Sequence, residues 1–196
     1  MMKRIGLTGG IASGKSLISN FFEEKNVIVL DADKIYKNLL KTNKILYNEI
    51  KKEFNLDELD LQQLASIVFN DESKLKRLNK ITHPFVIRSF TEQMKKLSKT
   101  EKIVVLDIPL LFEAKMEDFC DEIICVYVDE EIQKQRLIER NNLSEEEALN
   151  RIRSQMPLSE KCKLSDYIID NSQDIEFSHN QFELIFKKIK ESIHVI

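Results

Sequence analysis

The segment Gly9-Gly10-Ile11-Ala12-Ser13-Gly14-Lys15-Ser16 fits the pattern G-x-x-x-x-G-K-[ST]. Glycines allow a backbone to curl until successive N–H groups converge on phosphate oxygens. A helix opening straight after such a curl adds the positive end of its dipole. A lysine at position 15 can reach the β- and γ-phosphates of a nucleotide, and a hydroxyl at position 16 can ligate Mg²⁺. The expected nucleotide contacts are therefore Gly10, Ile11, Ala12, Ser13, Gly14, Lys15, Ser16 and Leu17, with a Mg²⁺-bound nucleoside triphosphate as the ligand. The bland alternative is a glycine-rich strand–helix turn with a capping serine.

Transfer of a phosphoryl group needs a residue to orient or deprotonate the attacking hydroxyl. Asp31-Ala32-Asp33 offers two carboxylates at spacing two, on the same side of an extended chain. Either could serve as that base, or the pair could cap the helix beginning Lys34-Ile35-Tyr36. Asp107 closes the apolar run Ile103-Val104-Val105-Leu106, the placement of a carboxylate that acts on Mg²⁺ or its waters. Arg136 and Arg140 are four apart and share a helix face. They could clamp the triphosphate or the transferring phosphoryl oxygens, with Arg136 then a nucleotide contact, and Arg151 and Arg153 on the next helix could add to the clamp. Nearby Glu130 or Glu139 would otherwise simply neutralise them. Thr82-His83-Pro84 reads as the start of a helix. His179 and His194 carry no partner pattern.

The elements that must position these groups follow from the apolar pattern. Continuous runs at 5–7, 27–30, 103–106, 123–128 and 167–169 suit parallel strands covered on both faces, alternating with helical segments. The expectation is a doubly wound α/β sheet with ligands at the carboxyl ends of its strands. The runs after the first end at Asp31, Asp107, Asp129 and Asp170, a potential acidic rim. The strand ending at Asp31 is expected beside the first strand. Residues 34–99 form an insertion too long for a simple crossover, expected to be a helical acceptor-binding lobe. Leu39, Leu40, Ile45, Leu46, Ile50 and Phe54 are its expected packing positions, with helices at 60–70, 71–80 and 84–98. Ser144-Glu145-Glu146-Glu147 fits a capping box within a charged segment, 130–157. A last helix over about 175–192 presents Phe182, Ile185, Phe186 and Ile189 on one face. The nucleotide-binding core is thus expected from 1–33, 100–129 and 158–196.

Composition narrows the class. A net charge of −3 implies no broad basic field, which argues against a nucleic-acid binder. No apolar stretch reaches the ~20 residues needed to span a bilayer, and no signal-peptide pattern precedes the first strand. A cytoplasmic protein is expected, as a monomer or weak homo-oligomer. Cys120, Cys125 and Cys162 form no C-x-x-C pair, and Cys125 reads as a small buried residue.

Taken together, these strings resemble the dephospho-CoA kinase family. The resemblance is carried by the segment 6–16, Asp31-Ala32-Asp33, His83-Pro84 and Asp107-Ile108-Pro109-Leu110-Leu111-Phe112-Glu113. It continues through Gln135-Arg136-Leu137, Arg140, Arg151-Ile152, Gln155-Met156-Pro157-Leu158 and Ile169-Asp170-Asn171. It implies a P-loop NTPase-type three-layer fold with a helical substrate-binding insertion and a lid. It also implies ATP-dependent phosphorylation of the ribose 3′-hydroxyl of dephospho-CoA, giving coenzyme A and ADP. By resemblance Asp33 is the general base, Lys15 the phosphate clamp and Ser16 a Mg²⁺ ligand. Arg140 belongs to a lid over 130–157, Asn171 contacts adenine, and His83 and Asp107 face the acceptor or the metal. Ala12 and Leu17 depart from the glycine and threonine usual in the family; alanine costs little at position 12 if its φ is negative. A nucleoside monophosphate kinase would share loop and lid but differ in the acceptor lobe. A GTPase would need N-K-x-D, and Asn43-Lys44-Ile45-Leu46 fails at the last position.

Overall fold

Along β1 (Lys3–Gly9) side chains alternate between two faces, and the neighbours of each face differ in kind. Ile5 and Leu7 point into a cluster with Ile18, Phe21, Phe22, Phe182, Ile185, Phe186 and Ile189. Gly6 points the other way, where a Cβ would come within 2.6 Å of the Cys120 sulfur. One face of the strand is thus built for large apolar groups, and the other for close approach of the chain. The computed structural model describes residues 2–193 apart from residue 70, so His194 lies outside the described residues.

After β1 the chain forms α1 (Lys15–Glu24), β2 (Ile28–Asp31), α2 (Ala32–Thr42), α3 (Lys44–Phe54), α4 (Leu61–Phe69) and α5 (Glu72–Leu97). It continues through β3 (Ile103–Asp107), β4 (Glu122–Tyr127), α6 (Glu130–Asn141), α7 (Glu145–Arg153), α8 (Leu158–Lys163), β5 (Tyr167–Asp170) and α9 (Ile175–Ile193). The sheet order is β2-β3-β1-β4-β5. β1 runs parallel to β3 and β4, and β4 runs parallel to β5. This is the doubly wound sheet that the continuous apolar runs predict. One expected neighbour is wrong: β3, not β2, lies against β1 on that side. The chain passes over one strand position before returning, which apolar patterning does not encode.

Helices α1 and α9 meet through aromatic rings. Phe22 packs edge-on against Phe182 at 4.8 Å between centroids, and against Phe186 at 5.8 Å. Such contacts add a geometric preference to the burial of large apolar area.

The chain divides into two compact units, Met1–Leu30 with Leu97–Ile196, and Asp31–Lys96. The second unit is helical and has its own core of Leu40, Leu46, Ile50, Leu56, Leu64, Val68 and Leu78. Ile45, expected among the packing residues, is 65% exposed; it sits in the first turn of α3, off the buried stripe. The expected break before Pro84 is absent. Helix α5 runs through Pro84, although proline supplies no N–H at that point. Thr82 and His83 therefore lie inside a helix, not at its start.

Burial of the His83 ring pulls its pKa below the ordinary 6.5. The unfolded chain then takes up the proton first as pH falls below about 6.5. Stability is full above that value and is lost as pH drops towards the folded pKa. Thermal unfolding of wild type and His83→Gln from pH 7.5 to 5.5 tests this. Wild type should lose more stability than the variant on the acid side, and a constant difference would contradict the assignment.

Candidate active site

The β1–β3 register pairs Leu7 with Asp107, which puts the last residue of β3 beside the strand that feeds the loop. Helix α1 then brings two side chains back to that carboxylate. Lys15 Nζ pairs with Asp107 Oδ1, and Ser19 Oγ donates to Asp107 Oδ2 at 2.6 Å. Residues 15 and 19 are four apart, one helical turn, so they share a face. Asp107 is only 4% exposed, so its charge depends on these two partners.

Between β1 and α1 the backbone makes a tight curl. Ser13 N–H donates to Gly10 C=O at 3.1 Å. Gly14 has φ +88, and a Cβ there would meet the Asn171 amide nitrogen at 2.0 Å. Helix α1 starts at this glycine with no side-chain cap and no acidic residue in its first turn. By contrast, α2, α3, α6 and α7 are capped by Asp31, Asn43, Asp129 and Ser144. The uncapped first turn of α1 leaves N–H groups and a positive dipole end available to an anion. Ser16 stands exposed in that turn.

Side chains from distant segments hold the curl in shape. Gln133 Nε2 donates to Ile11 C=O at 2.7 Å, and Gln155 Oε1 accepts from Ile11 N–H at 2.9 Å. Asn171 Nδ2 donates to Ser13 C=O at 2.9 Å, while its Oδ1 accepts from Ser178 Oγ at 2.8 Å. The Asn171 side chain thus faces the loop and bonds to its backbone. Lys161 is wholly buried. Its ammonium reaches Pro109 C=O at 2.9 Å, Gly9 C=O at 3.4 Å and Glu113 Oε1 at 2.9 Å. Glu113 also accepts from Met156 N–H at 3.0 Å.

Of the residues singled out in the sequence, the structure brings together Gly10 to Leu17, Asp107 and Asn171. Only one of the four strand-end aspartates joins this cluster. Asp31 caps α2 by accepting from Lys34 N–H at 2.9 Å, and Asp129 caps α6. Asp170 accepts from Ser172 N–H at 2.9 Å, a local turn. The acidic rim is therefore mostly capping chemistry. Asp31 serves as the cap, and Asp33 lies in the first turn of α2, where it is exposed. His83 and Asp33 both belong to the helical unit 31–96. On α6 the Arg140 side chain is exposed and its Nε donates to Asn141 Oδ1 at 2.8 Å. Ser19, Gln133 and Lys161 were missed. The i+4 spacing from Lys15 could have flagged Ser19, whereas Gln133 and Lys161 bond to backbone carbonyls that leave no mark in sequence.

A parallel sheet with a phosphate-shaped loop at the carboxyl end of its central strand defines a P-loop kinase-type nucleotide-binding protein. Comparison with known proteins narrows this class. The family model for dephospho-CoA kinase matches residues 3–176. A dephospho-CoA kinase of Carboxydothermus hydrogenoformans is 46% identical over 193 residues, covering 95% of this chain and 94% of that protein. The crystal structure of TT1252 from Thermus thermophilus is similar at TM-score 0.82 and 31% identity, covering 95% of this chain and 97% of that one. Dephospho-CoA kinase from Campylobacter jejuni is similar at TM-score 0.74 and 29% identity, covering 98% and 99%. The chain belongs to the dephospho-CoA kinase family.

Ala12 departs from the family's glycine at a costly place. Its φ is 59, in the left-handed region, so the condition under which alanine would be cheap is not met. An L-residue there costs about 1–2 kcal/mol, part of which glycine returns as unfolded-chain entropy. Ala12→Gly should raise stability to urea by about 0.5–1 kcal/mol. A lower midpoint would mean that the Ala12 methyl group packs to advantage.

Proposed function

We propose that this chain transfers the γ-phosphoryl group of ATP to the ribose 3′-hydroxyl of dephospho-CoA, yielding coenzyme A and ADP. The observation that carries the reading is the uncapped, clasped loop at the start of α1, in a chain that belongs to this family. The loop N–H groups and Lys15 would receive the β- and γ-phosphates. Lys15 would then exchange part of its contact with Asp107 for phosphate oxygens.

The donors present suit Mg²⁺. Among the described residues no group of three His, Cys, Asp or Glu side chains could hold a metal. Mg²⁺ in kinases keeps several waters and takes phosphate oxygens with few protein ligands. Ser16 would supply its hydroxyl, and Asp107 would act through water, since Lys15 and Ser19 already engage both its oxygens. Bound there, the ion would neutralise charge on the phosphates.

Asp33 would accept the proton of the 3′-hydroxyl as its oxygen attacks the γ-phosphorus and the bond to ADP breaks. Arg140, with Arg136, would meet the charge spread over the transferring oxygens. Asn171, its side chain engaged by the loop, would meet the adenine through its main chain. Residues 34–99, with His83, would bind the acceptor, and 130–157 would close over the nucleotide and exclude water. We place the reaction in the cytoplasm and the protein as a monomer or weak homo-oligomer. No described helix is long and apolar enough to cross a membrane.

The test is turnover with Mg-ATP and dephospho-CoA beside AMP, CMP and UMP, with products identified by mass. Coenzyme A should form from dephospho-CoA alone, and phosphorylation of a monophosphate instead would overturn the acceptor. In Asp33→Asn, kcat should fall by about 10²–10⁴-fold. ATP affinity should stay within roughly threefold of wild type, because a base acts in the transition state and not in nucleotide binding. Near-normal turnover in that variant would remove Asp33 from the base role.

A further inference from the structure

Cys125 and Cys162 are far apart in sequence, yet their sulfurs lie 3.6 Å apart. Cys125 is on β4 and wholly buried; Cys162 is on α8 and partly exposed. The strand alternation explains the meeting. Ile124 and Val126 join the apolar cluster with α1 and α9, so Cys125 faces the opposite side, where α8 packs on β4. Neither residue has a part in the phosphoryl transfer proposed above.

We propose that Cys125 and Cys162 form a dithiol oxidised reversibly by hydroperoxides to a disulfide joining α8 to β4, and that this bond slackens the clasp on the phosphate loop. The Cys162 sulfur attacks one peroxide oxygen; an S–O bond forms, the O–O bond breaks, and hydrogen peroxide leaves as water, giving a sulfenic acid. The Cys125 sulfur then attacks the Cys162 sulfur. The S–S bond forms, the S–O bond breaks, and the hydroxide leaves with the Cys125 proton as a second water. Two thiols are oxidised by two electrons, and the peroxide is reduced.

The order of attack follows from position. Cys162 is the sulfur nearer solvent, and its contact with Cys125 favours its thiolate, holding its pKa below the ordinary value. Cys125, engaged by that contact and buried, is pushed upward and stays a thiol. Cys120 is separated from this chemistry: burial pushes it up to about 12, and its Sγ lies 3.9 Å from Met116 C=O.

The link to the loop is one residue long. A disulfide holds its sulfurs at about 2.05 Å, so α8 must approach β4 or turn. Lys161 precedes Cys162 on α8 and bonds to Gly9 and Pro109 carbonyls. Moving one disturbs the other.

The test reads thiols first and therefore does not depend on the acceptor. Protein treated with hydrogen peroxide is alkylated under denaturing conditions and mapped by mass. Alkylatable cysteines should fall from three to one, with Cys125 linked to Cys162 and Cys120 intact. Dithiothreitol should restore all three. Cys125→Ala should leave a sulfenic acid on Cys162 that dimedone traps, Cys162→Ala should give no intramolecular link, and Cys120→Ser should behave as wild type. A link through Cys120 would overturn the pair. So would no link at a dose that already converts methionines to sulfoxide. ATP binding by the oxidised protein should weaken at least threefold and recover on reduction, and unchanged binding would overturn the coupling to the loop.

Discussion

The contact of Lys15 with the buried Asp107 carboxylate is the interaction on which the nucleotide site depends. It joins the first residue of α1 to the last residue of β3, across the strand that feeds the loop. A buried carboxylate stranded without its cation is costly, and breaking such a pair from one side typically costs several kcal/mol. Helix α1 therefore cannot swing away from the sheet without exposing an unpaired charge. The same cation is the group a triphosphate would draw upon, so structural support and phosphate recognition would share one ammonium.

Around that contact the protein spends its other polar groups on backbone. Gln133, Gln155, Asn171 and Lys161 all bond to main-chain atoms of the loop or its approach. Loop carbonyls satisfied from outside leave the N–H groups at the start of α1 as the open set. A curl held this way presents its donors without reorganisation, which is what electrostatic stabilisation of a transferring group requires. Ala12 shows the price of that geometry, because the backbone keeps a left-handed turn even where the side chain resists it.

Much of this was readable from the chain alone. The strand runs, the helical insertion and the capping box at Ser144 follow from period and composition, since each is a local consequence of local residues. Lys15 and Asp107 stand out in the sequence because one opens a helix after the glycine-rich curl and the other closes an apolar run, and the structure brings the two into contact. What was not legible depends on the third dimension. The swap of β2 and β3 is a matter of crossover. The uninterrupted α5 shows packing outweighing proline, with Val86 and Phe90 buried just beyond the missing donor. An aspartate at a strand end is equally a cap or an acid until its N–H partners are known, and Asp31, Asp129 and Asp170 turned out to serve turns and helices.

The two glutamines that grip Ile11 approach from α6 and from the turn after α7. One residue of the loop is thus held through both its backbone groups, N–H and C=O, by a single stretch of chain. Any rearrangement of that stretch is transmitted to the loop as a torque on one residue. The site is in this respect mechanically wired: the curvature that would cradle a phosphate is also a gauge of where α6 and α7 stand.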